Sequence, residues 1–371
     1  MKKVLILIVC IFVLLSCQNN SSSGEVKRLE NRDYNELRFD RLSTSVKDNF
    51  FNHNKSKHVL VEPDYFVWGL SVIEWNGKYH AYYARWKRKD QFKAWMTDCE
   101  IAHAVSTTPE GPFEFVNVVL ESRKSSGWDI NNSHNPYIIV VNGKICLYYI
   151  ANDIAQHFPN ENGRIKQPDS IWLATNRNLL RNSQRIGLAI SNDPSGPFVR
   201  SEKPIVEPDN VKFKNIAVNP SVVFHNNQFT MIMKGDDVTK DEWFRIQLVG
   251  KASNPEGPFE FSSKPVYNQA QTEDACIWYD NVHNYYYMVC HVMGKSELAL
   301  FKSKNGSDWQ PDERKIFMKK EFSLLNGTIW KPERVERPFV LTDETGKPIM
   351  LYVAVSDKNV TGNIAIPIHL N

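Results

Sequence analysis

The chain has 371 residues and a formal net charge of +3, from 45 Lys and Arg against 42 Asp and Glu, which argues against a nucleic-acid partner. Aromatic residues make up 12% and include 10 Trp, enough to offer stacking surfaces to sugar rings as well as core packing. Beyond residue 17 the cysteines are Cys99, Cys146, Cys276 and Cys290, on no spacing that suits zinc, and free buried thiols are expected.

Taken in chain order, Met1–Lys3 is a short basic start and residues 4–15 are almost wholly apolar, which reads as a secretory signal too short to span a bilayer. Leu14-Leu15-Ser16-Cys17 resembles a bacterial lipobox, so Cys17 is expected to be the lipidated first residue of the mature chain. The protein is then expected on the bacterial envelope, at the outer membrane because Gln18 follows the cysteine, with the lipid as its only membrane contact. Residues 18–39 read as a polar tether and lead-in, and residues 40–371 as one folded domain.

Within that domain, five stretches share one pattern: a polar residue, an apolar strand, an Asn/Gly/Lys turn and a Tyr-rich return strand. They occupy 62–83, 134–149, 219–232, 273–289 and 336–352, and they predict hairpins. Between them recurs a Pro-x-Gly-Pro-Phe turn, at Ser106–Phe113, Ser191–Phe198 and Ser253–Phe259, with a looser copy at Ser303–Trp309. Recurrence of one unit at such intervals predicts an all-β fold, a five-bladed β-propeller. The fifth blade ends the chain, so its closing strand is expected from residues 40–61, with 25–50 an irregular or partly helical lead-in.

In a propeller the first strand of each blade lines the axis. The polar residues that open the hairpins should therefore meet in one pocket: Asp64, His134 with Asn135, Asn219, Glu273 with Asp274, and Glu336 with Arg337. Trp68 follows Asp64 as a candidate stacking platform, and His291 joins His134 as a candidate acid. Lys234, Asp236, Asp237, Asp153, Glu100, Arg185 and Arg245 are further rim candidates. The arginines would suit a carboxylate or sulfate, so the saccharide is allowed to be anionic. No phosphate loop, serine elbow or HExxH is present.

The hairpins, above all Thr272–Asp280 and Glu336–Pro348, resemble the five-bladed glycoside hydrolases related to families 43 and 117. That resemblance implies an enzyme acting on oligo- or polysaccharides, exo-acting and inverting, with Asp64 as general base and Glu273 as acid. Inversion needs the two carboxyl groups roughly 6.5–9.5 Å apart. The mechanism requires no metal or other cofactor, although Ca²⁺ or a similar cation could sit on an acidic axis. Asn135 and Asn219 depart from the acidic pattern of the relatives, which leaves open a non-catalytic glycan-binding lipoprotein, or a glycosyl transferase or phosphorylase on the same fold.

Overall fold

The computed structural model describes residues 32–122, 127–154, 160–161, 164–165 and 169–370; the signal segment, Cys17 and residues 18–31 lie outside them. Asn76-Gly77, Asn142-Gly143 and Asn226-Asn227 each hold two consecutive positive φ angles, the backbone that tight hairpins demand and that Asn and Gly tolerate best. These hairpins form the inner halves of four-stranded antiparallel sheets. Blade 1 comprises Tyr65–Trp75, Lys78–Lys87, Glu100–Ser106 and Glu114–Leu120. Blade 2 runs through His134–Val141, Lys144–Asn152, Gln184–Ser191 and Val199–Arg200. Blade 3 has Lys214–His225, Gln228–Asp236, Arg245–Ala252 and Glu260–Phe261, and blade 4 has Thr272–Asp280, Tyr285–Val292, Glu297–Ser303 and Gln310–Lys319. Blade 5 has Arg334–Thr342, Pro348–Asp357 and Val360–His369. The innermost strands touch in sequence order and the fifth returns to the first, so the protein is a five-bladed β-propeller.

The repeated turn explains how neighbouring blades hold together. Its glycines, Gly111, Gly196 and Gly257, sit at φ of 88°, 90° and 91°, where a Cβ would come within 3.1, 3.2 and 2.8 Å of the following Phe amide nitrogen. The tightened turn leaves the carbonyl of its first proline facing the preceding blade. There the buried hydroxyls of Tyr352, Tyr82 and Tyr148 donate to Pro109, Pro194 and Pro255 at 2.6, 2.8 and 2.9 Å. In the register of blades 3 and 4 the matching position holds Ile232 and Val289, and the turns that follow in the ring lack the proline carbonyl.

Closure of blade 5 departs from the expected single strand. Arg38–Phe39 and Val59–Leu60 pair separately with the last strand, and the chain between them forms helix α1, Thr44–Phe51, capped by Ser43. Val46 and Phe50 bury against the sheet, and the Phe50 ring lies 5.1 Å from Trp330. The start of the described chain straps blade 4: Arg32 Nη1 meets Asp280 Oδ1 at 2.8 Å, and Tyr34 stacks on Tyr287 with ring centroids 4.0 Å apart. All four described cysteines are buried and free. Cys276 faces Val289 in the blade 4 ladder, so Cys290, one residue on, points to the other side of the sheet.

Candidate active site

Each innermost strand breaks register at an equivalent place, Trp68-Gly69, His134-Asn135, Val218-Asn219, Glu273-Asp274 and Glu336-Arg337, and those of blades 3 and 5 each slip once more, before Val218 and after Leu341. The second residue of each pair has a positive φ, between 48° and 59°. Such a bulge aims two successive side chains at one side of the strand instead of opposite faces. One set, Trp68, His134, Val218, Glu273 and Glu336, lines a cavity of about 480 Å³, and Asn135, Asn219, Asp274 and Arg337 of the other set line it too.

The second set is bonded into an arc. Asn135 Nδ2 donates to Asn219 Oδ1 at 2.9 Å, and Asn219 Nδ2 donates to Asp274 Oδ1 at 2.6 Å. The Arg337 backbone amide and Nη1 donate to Asp274 at 3.3 and 3.4 Å. Arg337 then passes over blade 1, where a Cβ on Gly69 would meet its Nε at 3.3 Å. Among the described residues no cluster of His, Cys, Asp and Glu suits a metal. The arc supplies one carboxylate, already shared with a guanidinium, which is a poor fit to the oxygen-rich shell of Ca²⁺.

Glu273 is held by Lys234 Nζ at 2.8 Å and Arg245 Nε at 3.3 Å, with His291 Nδ1 at 3.8 Å. Burial by itself would raise its carboxyl, but these positive neighbours outweigh burial and bring it down to about 2. Glu336 accepts from Arg334 Nε at 3.0 Å and Nη2 at 2.7 Å, a fork that occupies both oxygens. His134 is 2% exposed and both its ring nitrogens are buried. Burial, then the charges of Arg337 and Lys234, push its imidazolium down to about 3. Aromatic walls come from Trp68, Trp86, Phe92, Trp95 and Trp243.

Several expectations are corrected by this geometry. Asp64 is exposed in the turn before the first strand and is absent from the cavity lining; the bulge that reaches the axis in blade 1 is Trp68-Gly69, so the place given to the general base holds no carboxylate. Glu273 is ionised, the opposite of a carboxyl kept protonated as an acid. His134 reaches the cavity but as a neutral ring, so it is not an imidazolium acid at neutral pH. His291 pairs opposite Glu273 from the second strand of blade 4 and lies behind it, outside the lining. Asn135, Asn219, Asp274, Glu336, Arg337 and Trp68 do meet around the cavity. Of the rim candidates, Lys234 and Arg245 line it, whereas Glu100 pairs with Arg85 at 2.9 Å and Arg185, outside the lining, gives Nη1 to three backbone carbonyls.

Residues the sequence reading missed come from an insertion and from strand ends. Helices α2 (Trp95–Asp98), α3 (Ser170–Thr175) and α4 (Arg177–Asn182) wall the cavity; from the last, Arg177 and Arg181 face it. Arg181 forks onto buried Asp236 at 2.5 and 2.6 Å and lies 4.2 Å over the Trp243 ring. Arg334 stands 4.9 Å over Trp68. The four-residue spacing of Arg177 and Arg181, which puts both on one helix face, was the only available signal.

No family model and no curated protein matches the chain. Among solved structures it is similar to Zg3597, a family 117 glycoside hydrolase of the marine bacterium Zobellia galactanivorans, at 14% identity over 90% of each chain with a TM-score of 0.59. It is also similar to BT0996, solved as an RGII complex, at 14% identity over 87% of this protein and 95% of that one, TM-score 0.58. A third is CoXyl43, a family 43 β-xylosidase/α-arabinofuranosidase from a compost microbial metagenome bound to xylotriose, at 14% identity over 85% and 94%, TM-score 0.54. The protein therefore shares the five-bladed fold of these structures.

Proposed function

We propose that this protein is a glycoside hydrolase, exo-acting and inverting, whose chemistry is performed by Glu273 and Glu336. The observation that carries this reading is the convergence of two glutamates, at register-equivalent positions of neighbouring blades, on one aromatic-walled cavity of sugar-accommodating size. Glu273, kept ionised by Lys234 and Arg245, is suited to draw a proton from the attacking water. Glu336 is the partner that protonates the leaving oxygen, once a bound sugar has turned the half-exposed Arg334 off its carboxyl. The structural neighbours whose names describe glycoside hydrolases support the reading at the level of fold.

The test is digestion of a panel of plant and algal oligosaccharides, with release of terminal sugar followed by chromatography and the first anomer formed read by NMR. Release of a terminal sugar with inverted configuration is expected. A second reading, a non-catalytic glycan receptor, is favoured by Gly69 at the place of the expected base. Saturable binding of an oligosaccharide that is never cleaved would establish it instead.

A further inference from the structure

We propose that the saccharide this cavity takes carries an anionic group, a carboxylate or a sulfate ester, held by Arg177 and Arg245 beside Trp243. The inference rests on reading the cavity as a saccharide site and names the class of sugar. The lining has seven basic side chains, Lys93, Arg177, Arg181, Lys234, Arg245, Arg334 and Arg337, against three acidic ones, Glu273, Asp274 and Glu336. Lys234 and Arg245 share Glu273, Arg334 takes Glu336, Arg337 takes Asp274, and Arg181 takes Asp236. Lys93 and Arg177 have no carboxylate partner among the described residues.

Two of these cations are free to act on a ligand. Arg245 reaches Glu273 with Nε at 3.3 Å and is a third exposed, and its terminal nitrogens, which make no hydrogen bond among the described residues, remain for a second anion. Arg177 stands 6.0 Å from the Trp243 ring, next to Arg181 at 4.2 Å, and Trp243 is 37% exposed. A sugar ring lying against Trp243 would therefore present a substituent to guanidinium groups whose planar forks match carboxylate and sulfate oxygens. Like charges gathered in a half-enclosed pocket repel one another, and an anionic ligand removes that cost where a neutral sugar leaves it standing.

Calorimetric titration of the full mature protein with matched pairs tests the inference: oligogalacturonates against their methyl esters, and sulfated galactan fragments against their desulfated forms. We expect one anionic member to bind at least about tenfold tighter than its neutral counterpart, with the advantage shrinking as salt rises; which pair shows it identifies carboxylate or sulfate. Arg177→Ala should reduce that selectivity ratio by about tenfold with the circular-dichroism spectrum unchanged, and Arg177→Lys should keep part of it. Equal affinity within both pairs overturns the inference; cleavage of the neutral members would then leave the hydrolase reading intact. Failure to bind any member of either pair overturns both.

Discussion

At the scale of the residue, Glu273 and His134 show environment setting chemical role. Both are buried and both feel Lys234, with Arg245 acting on the carboxyl and Arg337 on the imidazole, and the result is an anionic carboxylate and a neutral imidazole in one cavity. Because the folded carboxyl lies below its unfolded value, its ion pairs contribute stability that is fully present above about pH 5 and is lost as pH falls toward about 2. Acid titration of wild type against Glu273→Gln should show this: the variant's stability falls less between those pH values, and parallel curves would contradict it. Lys234 is the nearest cation, so Lys234→Met should let burial act on Glu273 and move the acid limb of kcat/KM upward by about one pH unit. An acid limb that stays in place would remove Glu273 from the role of base.

At the scale of the element, the repeated turn and the bulge do different work, and only the first was fully legible in sequence. The turn announces itself by Gly-Pro-Phe, and its partners are the tyrosines of the return strands. Tyr148→Phe leaves the Pro255 carbonyl without its donor and should cost about 1–3 kcal/mol in denaturant unfolding, whereas Tyr279→Phe, whose hydroxyl lies 3.4 Å from Asn284 at the surface, should cost less than about 0.5 kcal/mol. The Arg32–Asp280 pair is buried at both ends, so Arg32→Ala should destabilise the fold by about 3 kcal/mol or more and expose the lead-in to protease. Equal protection of wild type and variant would show that the strap contributes little. The bulge itself was not read from the sequence, but in four blades its place was marked, because Asn-Pro, Asn-Pro, Glu-Asp and Glu-Arg-Pro are polar residues beside apolar strands. In blade 1 the same bulge is Trp68-Gly69, with no polar marker, and Asp64 stood out in its place although it only precedes the strand.

At the scale of the whole molecule, hairpin spacing and turn recurrence identified the number of blades. Closure was legible only in outline, since the two-residue pairings of Arg38–Phe39 and Val59–Leu60 are too short to leave a period-2 pattern. Arg177, Arg181 and Trp243 belong to segments outside the repeat, where no neighbouring copy supplies a register, and long-range folding alone brings them to the axis. The resemblance of Leu14–Cys17 to a lipobox sets a further expectation for the molecule in its cell: Cys17→Ser should move the protein from the detergent-soluble membrane fraction to the aqueous fraction, and an unchanged distribution would show that Cys17 carries no anchor. The central claim is that catalysis belongs to the bulge residues of blades 4 and 5. Its most direct test is kcat/KM of Glu273→Gln, Glu336→Gln and Asp64→Asn on whichever oligosaccharide the wild type cleaves. The account predicts losses of about 10²–10⁴-fold for the two glutamate variants and wild-type rates for Asp64→Asn; abolition by Asp64→Asn with activity retained in Glu273→Gln would contradict it.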